Sequence, residues 1–297
     1  MVERTTTASQ YRDLTENIRR ASSSVNRALL EITSGKRILA PSDDPSAVQE
    51  IQSLKITQLR NDQFLSNIGS ALDELSFVDT TIDHIELTLE EARKQAVAGL
   101  SGTTTAESRE AIAKQLDSLK AQLLSLANTS FNGKFLFGGT ASNSAPFTQG
   151  VGGVVSYNGN ANPVFIRADE QTLVQTNVTG AELFVGPPDV FAALDSASAA
   201  LRADDENQLR TALDDVSSGL SQVRLAHSAV GATISQLQNM QEALLQLDVN
   251  LQEQAARLQD VDLIEAATRL NQSQRALEAA LSAGGRIIRL SLLDFLD

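Results

Sequence analysis

The side chains of this sequence that could do acid–base or metal chemistry are two histidines and a set of paired carboxylates. His84 and His227 lie inside long stretches of helical periodicity, without a second histidine or a cysteine at the spacing of a metal ligand. The carboxylates fall at predicted helix starts or on solvated faces, where negative charge favours the positive end of a helix. They are Asp43 with Asp44, Asp204 with Asp205, Asp214 with Asp215, and Asp260 with Asp262. We therefore predict structural roles for both residue types.

Two glycine clusters could cradle a phosphate, but neither has the context that this chemistry requires. Gly138-Gly139 and Gly150–Gly153 lack the strand-then-helix arrangement and the downstream acid of a dinucleotide loop. No G-x-S-x-G nucleophile elbow is present, and the absence of cysteine excludes thiol catalysis, disulfides and zinc–thiolate sites. The sequence predicts no catalytic residue, no cofactor and no metal site, so we expect a protein that is not an enzyme.

The charge balance excludes another group of functions. The 297 residues include 24 basic and 37 acidic side chains, which gives a net charge of −13. Such a chain repels polyanions, so we expect no nucleic-acid partner and no membrane partner. No run of about 18 apolar residues is present, and the first twenty residues lack the apolar core of a cleaved signal peptide. These features alone predict a soluble cytoplasmic protein.

Heptad spacing of apolar residues predicts long helices towards both ends of the chain. Asp44 is a suitable N-cap and Pro45 a suitable first residue for a helix that is predicted to reach about Ala98. Before it, from about Asn17 to Leu39, a narrow apolar stripe runs along a polar helix. The members of the stripe are Leu14, Ile18, Ala21, Val25, Ala28, Ile32 and Leu39. Further helices are predicted to about Ala127, from Val190 to about Arg202, and from about Asn207 onwards with a slip of the heptad phase at Leu263.

The composition changes at Asn132, where aromatic residues and glycines become frequent. Turn signals such as Asn132-Gly133 and Gly152-Gly153 separate short runs of β character. The predicted strands are Lys134–Phe137, Val154–Tyr157, Val164–Arg167 and Thr172–Val178. A small β-rich insertion therefore interrupts the helices.

These elements predict a mainly α fold with a small β-rich insertion. Because helices at both ends flank the β-rich middle, we expect long antiparallel terminal helices that form a rod-like helical bundle, with the β-domain at the tip. The predicted domains are an N-terminal coiled-coil assembly segment (1–44), a first part of the helical-bundle rod (45–131), a β-rich outer domain (132–188), a second part of the rod (189–257) and a C-terminal coiled-coil assembly segment (258–297).

Four stretches resemble the flagellin superfamily, and within it the hook-associated protein 3 branch of hook–filament junction proteins. The first is the run SGKRILAPSDDP at 34–45, where flagellins proper usually carry a shorter acidic signature without the prolines. The second is NGKFLFGG at 132–139 with APF at 145–147, and the third is TGAELF at 179–184. The fourth is the C-terminal run 260–277 with 290–296. Together these matches span the whole chain in the order of that branch.

The resemblance implies a structural subunit of the bacterial flagellum that connects hook to filament. Relatives leave the cell through the flagellar type III apparatus on an uncleaved N-terminal signal, which implies a secreted, extracellular protein at the hook–filament junction rather than a cytoplasmic one. The implied partners are copies of itself in a ring, a neighbouring hook-associated junction protein, the flagellin filament, and a cytoplasmic export chaperone on about Leu258 to Leu296. Relatives pair their terminal helices in an inner coiled-coil layer and carry the β-domain outermost.

The terminal helices are the predicted assembly interface. A narrow apolar stripe cannot hold a polar helix alone, because helix nucleation is costly and packing supplies most of the stability. We therefore predict that residues 1 to about 45 and about 258 to 297 are mobile in the monomer and fold on assembly. The predicted interface residues are Ile18, Val25, Ile32, Leu263, Leu270, Leu277, Ile288, Leu292 and Leu293.

Three other functions compete with this interpretation. A short flagellin that forms the filament itself would not be expected to carry the proline-bounded Asp43-Asp44 signature or the run at 135–139. An intracellular helical signalling module would leave the β insertion unexplained. An enzyme on a helical scaffold would need a nucleophile, a base and an oxyanion site together. Secretion separates these classes, because the junction protein and the flagellin leave the cell whereas the other two stay inside.

Overall fold

The computed structural model describes residues 7–101 and 105–296. In these ranges the chain forms long α-helices, short strands and one turn of π-helix at Ala181–Val185. The helices are α1 (Thr7–Ser34), α2 (Pro45–Gly99), α3 (Ala106–Ala127), α4 (Val190–Ala203), α5 (Glu206–Gln259) and α6 (Leu263–Leu296). The strands are β1 (Ser130–Phe131), β2 (Lys134–Phe135), β3 (Phe147–Gln149), β4 (Val155–Tyr157), β5 (Phe165–Arg167) and β6 (Leu173–Gln175). The predicted mainly α fold with a small β-rich insertion is confirmed.

Local capping residues mark the starts of α2, α3 and α4. Asp44 Oδ1 accepts the N–H of Ala47 at 3.1 Å, so α2 begins at the predicted Pro45. Asp189 caps α4 in the same way. Thr105 caps α3 through a bond from the N–H of Ser108. The 55-residue length of α2 agrees with the predicted helix to about Ala98.

The slip of the heptad phase at Leu263 marks a break between two helices, not a continuous helix. α5 ends at Gln259, and Asp260 forms an isolated antiparallel bridge with Lys36. α6 begins at Leu263, where Asp262 Oδ1 accepts two N–H groups of the first turn at 2.8 and 3.2 Å. These amides have no partner inside their own helix, and the aspartate supplies one. The apolar repeat of the C-terminal third therefore belongs to two helices.

The β insertion forms antiparallel hairpins within the described chain, with β1 paired to β2, β3 to β4 and β5 to β6. Asn132 and Gly133 have φ of 49° and 78°, as a two-residue turn between β1 and β2 requires. The predicted strands at 134–137 and 172–178 are too long. Beyond the paired residues the backbone has other partners: Phe137 O accepts the N–H of Gly180 at 2.8 Å, and the Val164 N–H donates to Asn177 Oδ1 at 2.7 Å. Strands β1 and β3 were not predicted.

An aromatic cluster joins the hairpins to the helical core. Phe184 is fully buried, and its ring centroid lies 6.0 Å from Phe137, 5.2 Å from Phe147 and 5.4 Å from Phe191. Tyr157 lies 4.9 Å from Phe147 by the same measure. The helices contribute the predicted heptad stripes to this core. Their most deeply buried members are Ile68, Leu75, Ile82, Ile85 and Leu89 on α2, and Leu116 and Leu123 on α3.

The chain divides into two compact units. One contains the residues up to Leu59 and those from Asp248 onwards, and therefore α1, α6 and the adjoining ends of α2 and α5. The other is Arg60–Leu247, which contains α3, α4 and the hairpins. The finer division into five domains stays a prediction.

Candidate assembly interface

Helices α1 and α6 pack against each other in antiparallel orientation. At one end of the pair Lys36 bridges Asp260, and farther along α6 the side chain of Leu14 lies beside Gly284. A Cβ on Gly284 would lie only 3.1 Å from Leu14 Cδ2, so the glycine allows a close approach of the two helices. The predicted antiparallel pairing of the terminal helices is thereby confirmed.

The predicted interface residues divide into three groups in the structure. Five are half-buried on the paired helices: Ile18, Val25 and Ile32 on α1, and Leu270 and Leu277 on α6. Leu263 is 58% exposed at the start of α6. The side chains of Ile288, Leu292 and Leu293 lie outside the described residues, although the backbone of α6 continues to Leu296. The role of all nine residues in assembly stays a prediction.

Two of the most buried positions of this helix pair hold alanine. Ala28 on α1 is 5% exposed and Ala266 on α6 is fully buried. Both alanines belong to the apolar repeat, but the predicted interface residues were all larger members of that repeat. Gly284 lies seven residues after Leu277, at the same heptad position. This spacing is the signal that could have identified Gly284 as a residue of the helix pair.

A buried carboxylate ties the helix pair together. Glu31 on α1 is 5% exposed, and its oxygens lie 3.2 Å from Arg27 Nε and 3.1 Å from Arg269 Nη2 on α6. Arg27 also reaches Asp43 Oδ1 at 2.9 Å. Burial of a charge costs free energy unless the charge is paired, and Glu31 is paired from both sides. The search for apolar periodicity missed Glu31, because a charged residue on the face of α1 that packs against α6 interrupts the apolar stripe of α1.

The two aspartates of the acidic signature hold the segment between α1 and α2. Asp43 Oδ2 accepts the N–H groups of Ala40 and Leu39 at 2.9 and 3.0 Å. Asp44 accepts the N–H of Ala47, as described above. These backbone hydrogen bonds favour the ionised carboxylates and hold the pKa of Asp43 and of Asp44 below the ordinary value. The predicted structural role of this carboxylate pair is confirmed.

A short set of backbone hydrogen bonds, called here the backbone clamp, fixes the axial position of the end of α1 relative to the start of α6. The N–H of Arg37 donates to Gln259 O at 2.8 Å, and its guanidinium donates to Leu258 O at 3.1 Å. Gly35 O accepts the N–H of Val261 at 3.0 Å. Gly35 has φ of +70°, a conformation that favours glycine, so the chain can turn out of α1 directly into these bonds.

Large apolar side chains remain exposed on the unit that contains the helix pair. Leu29 and Leu30 are 48% and 57% exposed, and Leu263 and Ile264 are 58% and 81% exposed. Both pairs lie near the end at which the backbone clamp joins the helices. Other exposed apolar residues in the described part of this unit include Leu39, Ile56, Leu59, Val249 and Leu281. Surfaces of this kind are typical of contacts with further protein chains.

His227 has a role that the sequence did not reveal. It lies on α5, with Nδ1 2.7 Å from Glu86 Oε1 and Nε2 3.0 Å from Asp79 Oδ1, both on α2. The imidazole donates to both carboxylates when each ring nitrogen carries a proton. Partial burial lowers the pKa of His227, but the hydrogen bonds and charges of Glu86 and Asp79 outweigh it, and the pKa is raised. His84 is exposed on α2.

Replacing His227 by Gln is expected to remove a pH dependence of stability. A raised pKa means that protonated His227 stabilises the fold fully below about pH 6.5, and that this stabilisation is lost as the pH rises through the raised value. Urea unfolding at a series of pH values measures the effect. The free energy of unfolding of the native protein should fall relative to that of His227→Gln as the pH increases. His84→Gln is the matched control and should keep the native profile; equal profiles for all three proteins would contradict the prediction.

Two kinds of site find no support in the described part of the chain. No group of three or more His, Asp or Glu side chains is placed there to hold a metal ion. None of the helices in the described ranges combines the length and the apolar character that crossing a bilayer requires.

Comparison with known proteins places these helices in a family. The profile of the bacterial flagellin N-terminal helical region matches residues 6–142. The profile of the bacterial flagellin C-terminal helical region matches residues 213–296. The chain belongs to the flagellin family. The paired helices α1 and α6 lie in the two matched regions of this flagellin-family chain, one in each.

Relatives within the flagellin family differ in how much of the chain they match. Flagellar hook-associated protein 3 of Escherichia coli (strain K12) is 28% identical over 287 residues, covering 88% of this chain and 90% of that protein. Flagellin B of Helicobacter pylori (strain 26695) is 30% identical over 120 residues, covering 40% of this chain and 23% of that protein. The solved structure of flagellar hook-associated protein 3 from Legionella pneumophila shares the fold, with a TM-score of 0.64 and 16% identity over 70% of this chain and 99% of that chain.

Proposed function

We propose that this flagellin-family chain is a structural junction subunit of the bacterial flagellum that connects hook to filament. The observation that carries the proposal is the similarity to hook-associated protein 3, which extends over 88% of this chain and 90% of that relative. A filament-forming flagellin should match other flagellins over a comparable share, whereas the match to flagellin B covers 23% of that protein. The subunit acts by its shape and its contacts, without catalysis.

Assembly proceeds through the terminal helices. The pair α1–α6 leaves Leu29, Leu30 and Ile264 exposed. Neighbouring copies in a ring would cover such side chains, and full burial of one large apolar side chain contributes about 1.5–3 kcal/mol. The same exposed surface is available to a neighbouring hook-associated junction protein and to the flagellin filament. Contributions of this kind from several residues, repeated in every copy, add up around a ring.

Export through the flagellar type III apparatus would bring the subunit to this extracellular site. A cytoplasmic chaperone would hold about Leu258 to Leu296 before export. Support for a chaperone comes from the apolar side chains that this segment exposes, which include Leu263, Ile264 and Leu281. Exposed apolar surface promotes aggregation before the proper partner is available, so a temporary partner in the cytoplasm protects the chain.

The decisive test of the proposed function is deletion of the gene in the native bacterium. A junction subunit predicts cells with hooks but without filaments, and filament protein lost to the medium. A filament subunit predicts loss of filaments without leaked filament protein. Normal flagella would contradict both roles. Complementation with the intact gene must restore filaments and motility, which excludes an effect on neighbouring genes.

Deuterium exchange of the dilute monomer is expected to show weak protection at 18–32 and 270–292. Among the described side chains of α1 and α6, the buried ones are Ala28, Glu31 and Ala266, so the isolated pair has little apolar burial to hold it. The heptad core of α2 in Arg60–Leu247 serves as the internal control and should exchange far more slowly. Strong protection of both terminal segments in dilute solution would show that they fold before assembly and would contradict the prediction.

A further inference from the structure

Hairpin β3–β4 ends in an apolar tip that is fully exposed. Val151 has 104% of its reference accessibility, and Val154 is 61% exposed. Gly152 and Gly153 between them have φ of 86° and 84°, a conformation that favours glycine and holds the two valines on a tight loop. No part of the described chain covers Val151.

A buried lysine fixes this tip in place. Lys120 on α3 is 6% exposed, and its Nζ donates to Gly153 O at 2.7 Å. The same Nζ lies 2.6 and 2.7 Å from the two carboxylate oxygens of Asp195 on α4. Hairpin tips are ordinarily among the mobile parts of a fold, and burial of a lysine is costly. A tip that is already ordered loses less conformational entropy when it binds a partner.

The tip belongs to a stretch of the chain without charge. Residues 135–166 contain no Asp, Glu, Lys, Arg or His, in a protein whose net charge is −13. Two copies of such a protein repel each other, and the repulsion is least where neither surface carries a charge. An uncharged tip is therefore suited to meet a largely uncharged, apolar surface on a second copy.

An apolar groove of about 450 Å³ in the same compact unit is such a surface. One residue of α2, six of α5 and five of the segment that begins at the end of β6 line it. Glu182 is the single charged residue among these described lining residues. Leu225 on α5 also lines the groove and is 75% exposed. The volume lies in the range of sites that accept a small ligand or a few side chains.

We propose that the Val151 tip of one copy inserts into this groove of the next copy. Within one chain the tip is held by α3 and α4, whereas the groove is formed by α2, α5 and the segment after β6. Because the tip and the groove lie on different elements, each copy can donate its tip to one neighbour and accept the tip of another, which is the heterologous arrangement of a ring or a helical array. This contact is separate from the terminal helices and does not depend on the junction role.

Engineered cysteines test the contact without background, because the native chain has none. Full-length Val151→Cys and full-length Ala229→Cys are purified separately, mixed at high concentration and oxidised. Ala229 lines the groove and is exposed, so it can accept a cysteine. The expected result on a non-reducing gel is a disulfide-linked dimer in the mixture, with little dimer when either variant is oxidised alone.

The matched control is Ser235→Cys, an exposed position of the same helix that does not line the groove. Mixed with Val151→Cys, it should give roughly tenfold less dimer than Ala229→Cys gives. Adding Val154→Asp to the Val151→Cys chain should lower the yield, whereas Val154→Thr should not. Equal yields at 229 and 235, or a dominant dimer of Val151→Cys with itself, overturn the proposal. Circular dichroism confirms that each variant is folded.

Discussion

Replacing Leu277 by Asp is expected to abolish incorporation of the chain into flagella while the Arg60–Leu247 unit stays folded. Leu277 is half-buried on α6, the helix that packs against α1. A carboxylate at this position loses apolar burial worth roughly 1–2 kcal/mol and must also be desolvated. The loss is repeated in every copy of the assembly, so its effect on a ring exceeds its effect on one chain.

Immunoblotting of isolated hook–filament complexes measures incorporation, and circular dichroism of the purified chain measures its folding. The matched control is Ala276→Asp, which places the same charge at the adjacent, exposed position of α6. That variant should keep the pairing of α1 with α6 in deuterium exchange on concentrated protein, whereas Leu277→Asp should lose it. Detection of Leu277→Asp in the culture medium would separate failed assembly from failed export. Normal incorporation of Leu277→Asp would remove this residue from the interface.

Replacing Phe184 by Ala is expected to lower the free energy of unfolding of the Arg60–Leu247 unit by about 3–5 kcal/mol. Phe184 is fully buried and contacts the rings of Phe137, Phe147 and Phe191. Its loss leaves a cavity where the hairpins join the helices and removes three aromatic contacts at once. The hairpins have no sheet of their own beyond two strands, so they depend on this cluster.

Tyrosine fluorescence can follow this unfolding selectively. The chain has two tyrosines and no tryptophan, so a Tyr11→Phe background leaves Tyr157, inside the aromatic cluster, as the emitting residue. Urea titration of Phe184→Ala in that background gives the change in the unfolding midpoint. Phe165→Ala is the matched control, because Phe165 is 53% exposed and its truncation should change stability by no more than about 0.5 kcal/mol. Similar midpoints for the two variants would contradict the prediction.

The helices were predictable from sequence because their signals are local. Asp44 and Pro45 mark the start of α2 with neighbouring residues alone, and heptad spacing located its buried face. The break before Leu263 was harder to predict, because a slip of the apolar repeat occurs both inside a bent helix and between two helices. Strand lengths were overestimated for a related reason. The β propensity is a property of single residues, whereas a strand continues only as far as its partner strand pairs with it.

The interface was predictable only in part. Periodicity placed Ile18 and Leu277 on the apolar stripes of their helices, because each stripe is formed by neighbouring residues, and the structure finds both half-buried. Glu31 and Gly284 act through residues far away along the chain, Arg269 and Leu14, and no local pattern contains that pairing. The same reason applies to His227, whose two carboxylate partners lie on another helix. Long-range partners of this kind become visible only in the folded chain.

The pairing of α1 with α6 also determines when the assembly surface can exist. It joins two segments that are separated by the whole of Arg60–Leu247. Entropy of loop closure makes such distant contacts form late, after the contacts within that unit. If the chain is exported one end first, as proposed above, this surface is complete only after the second terminal helix has been exported. In the proposed assembly, a copy of which only one terminal helix has been exported would therefore be unable to join a ring.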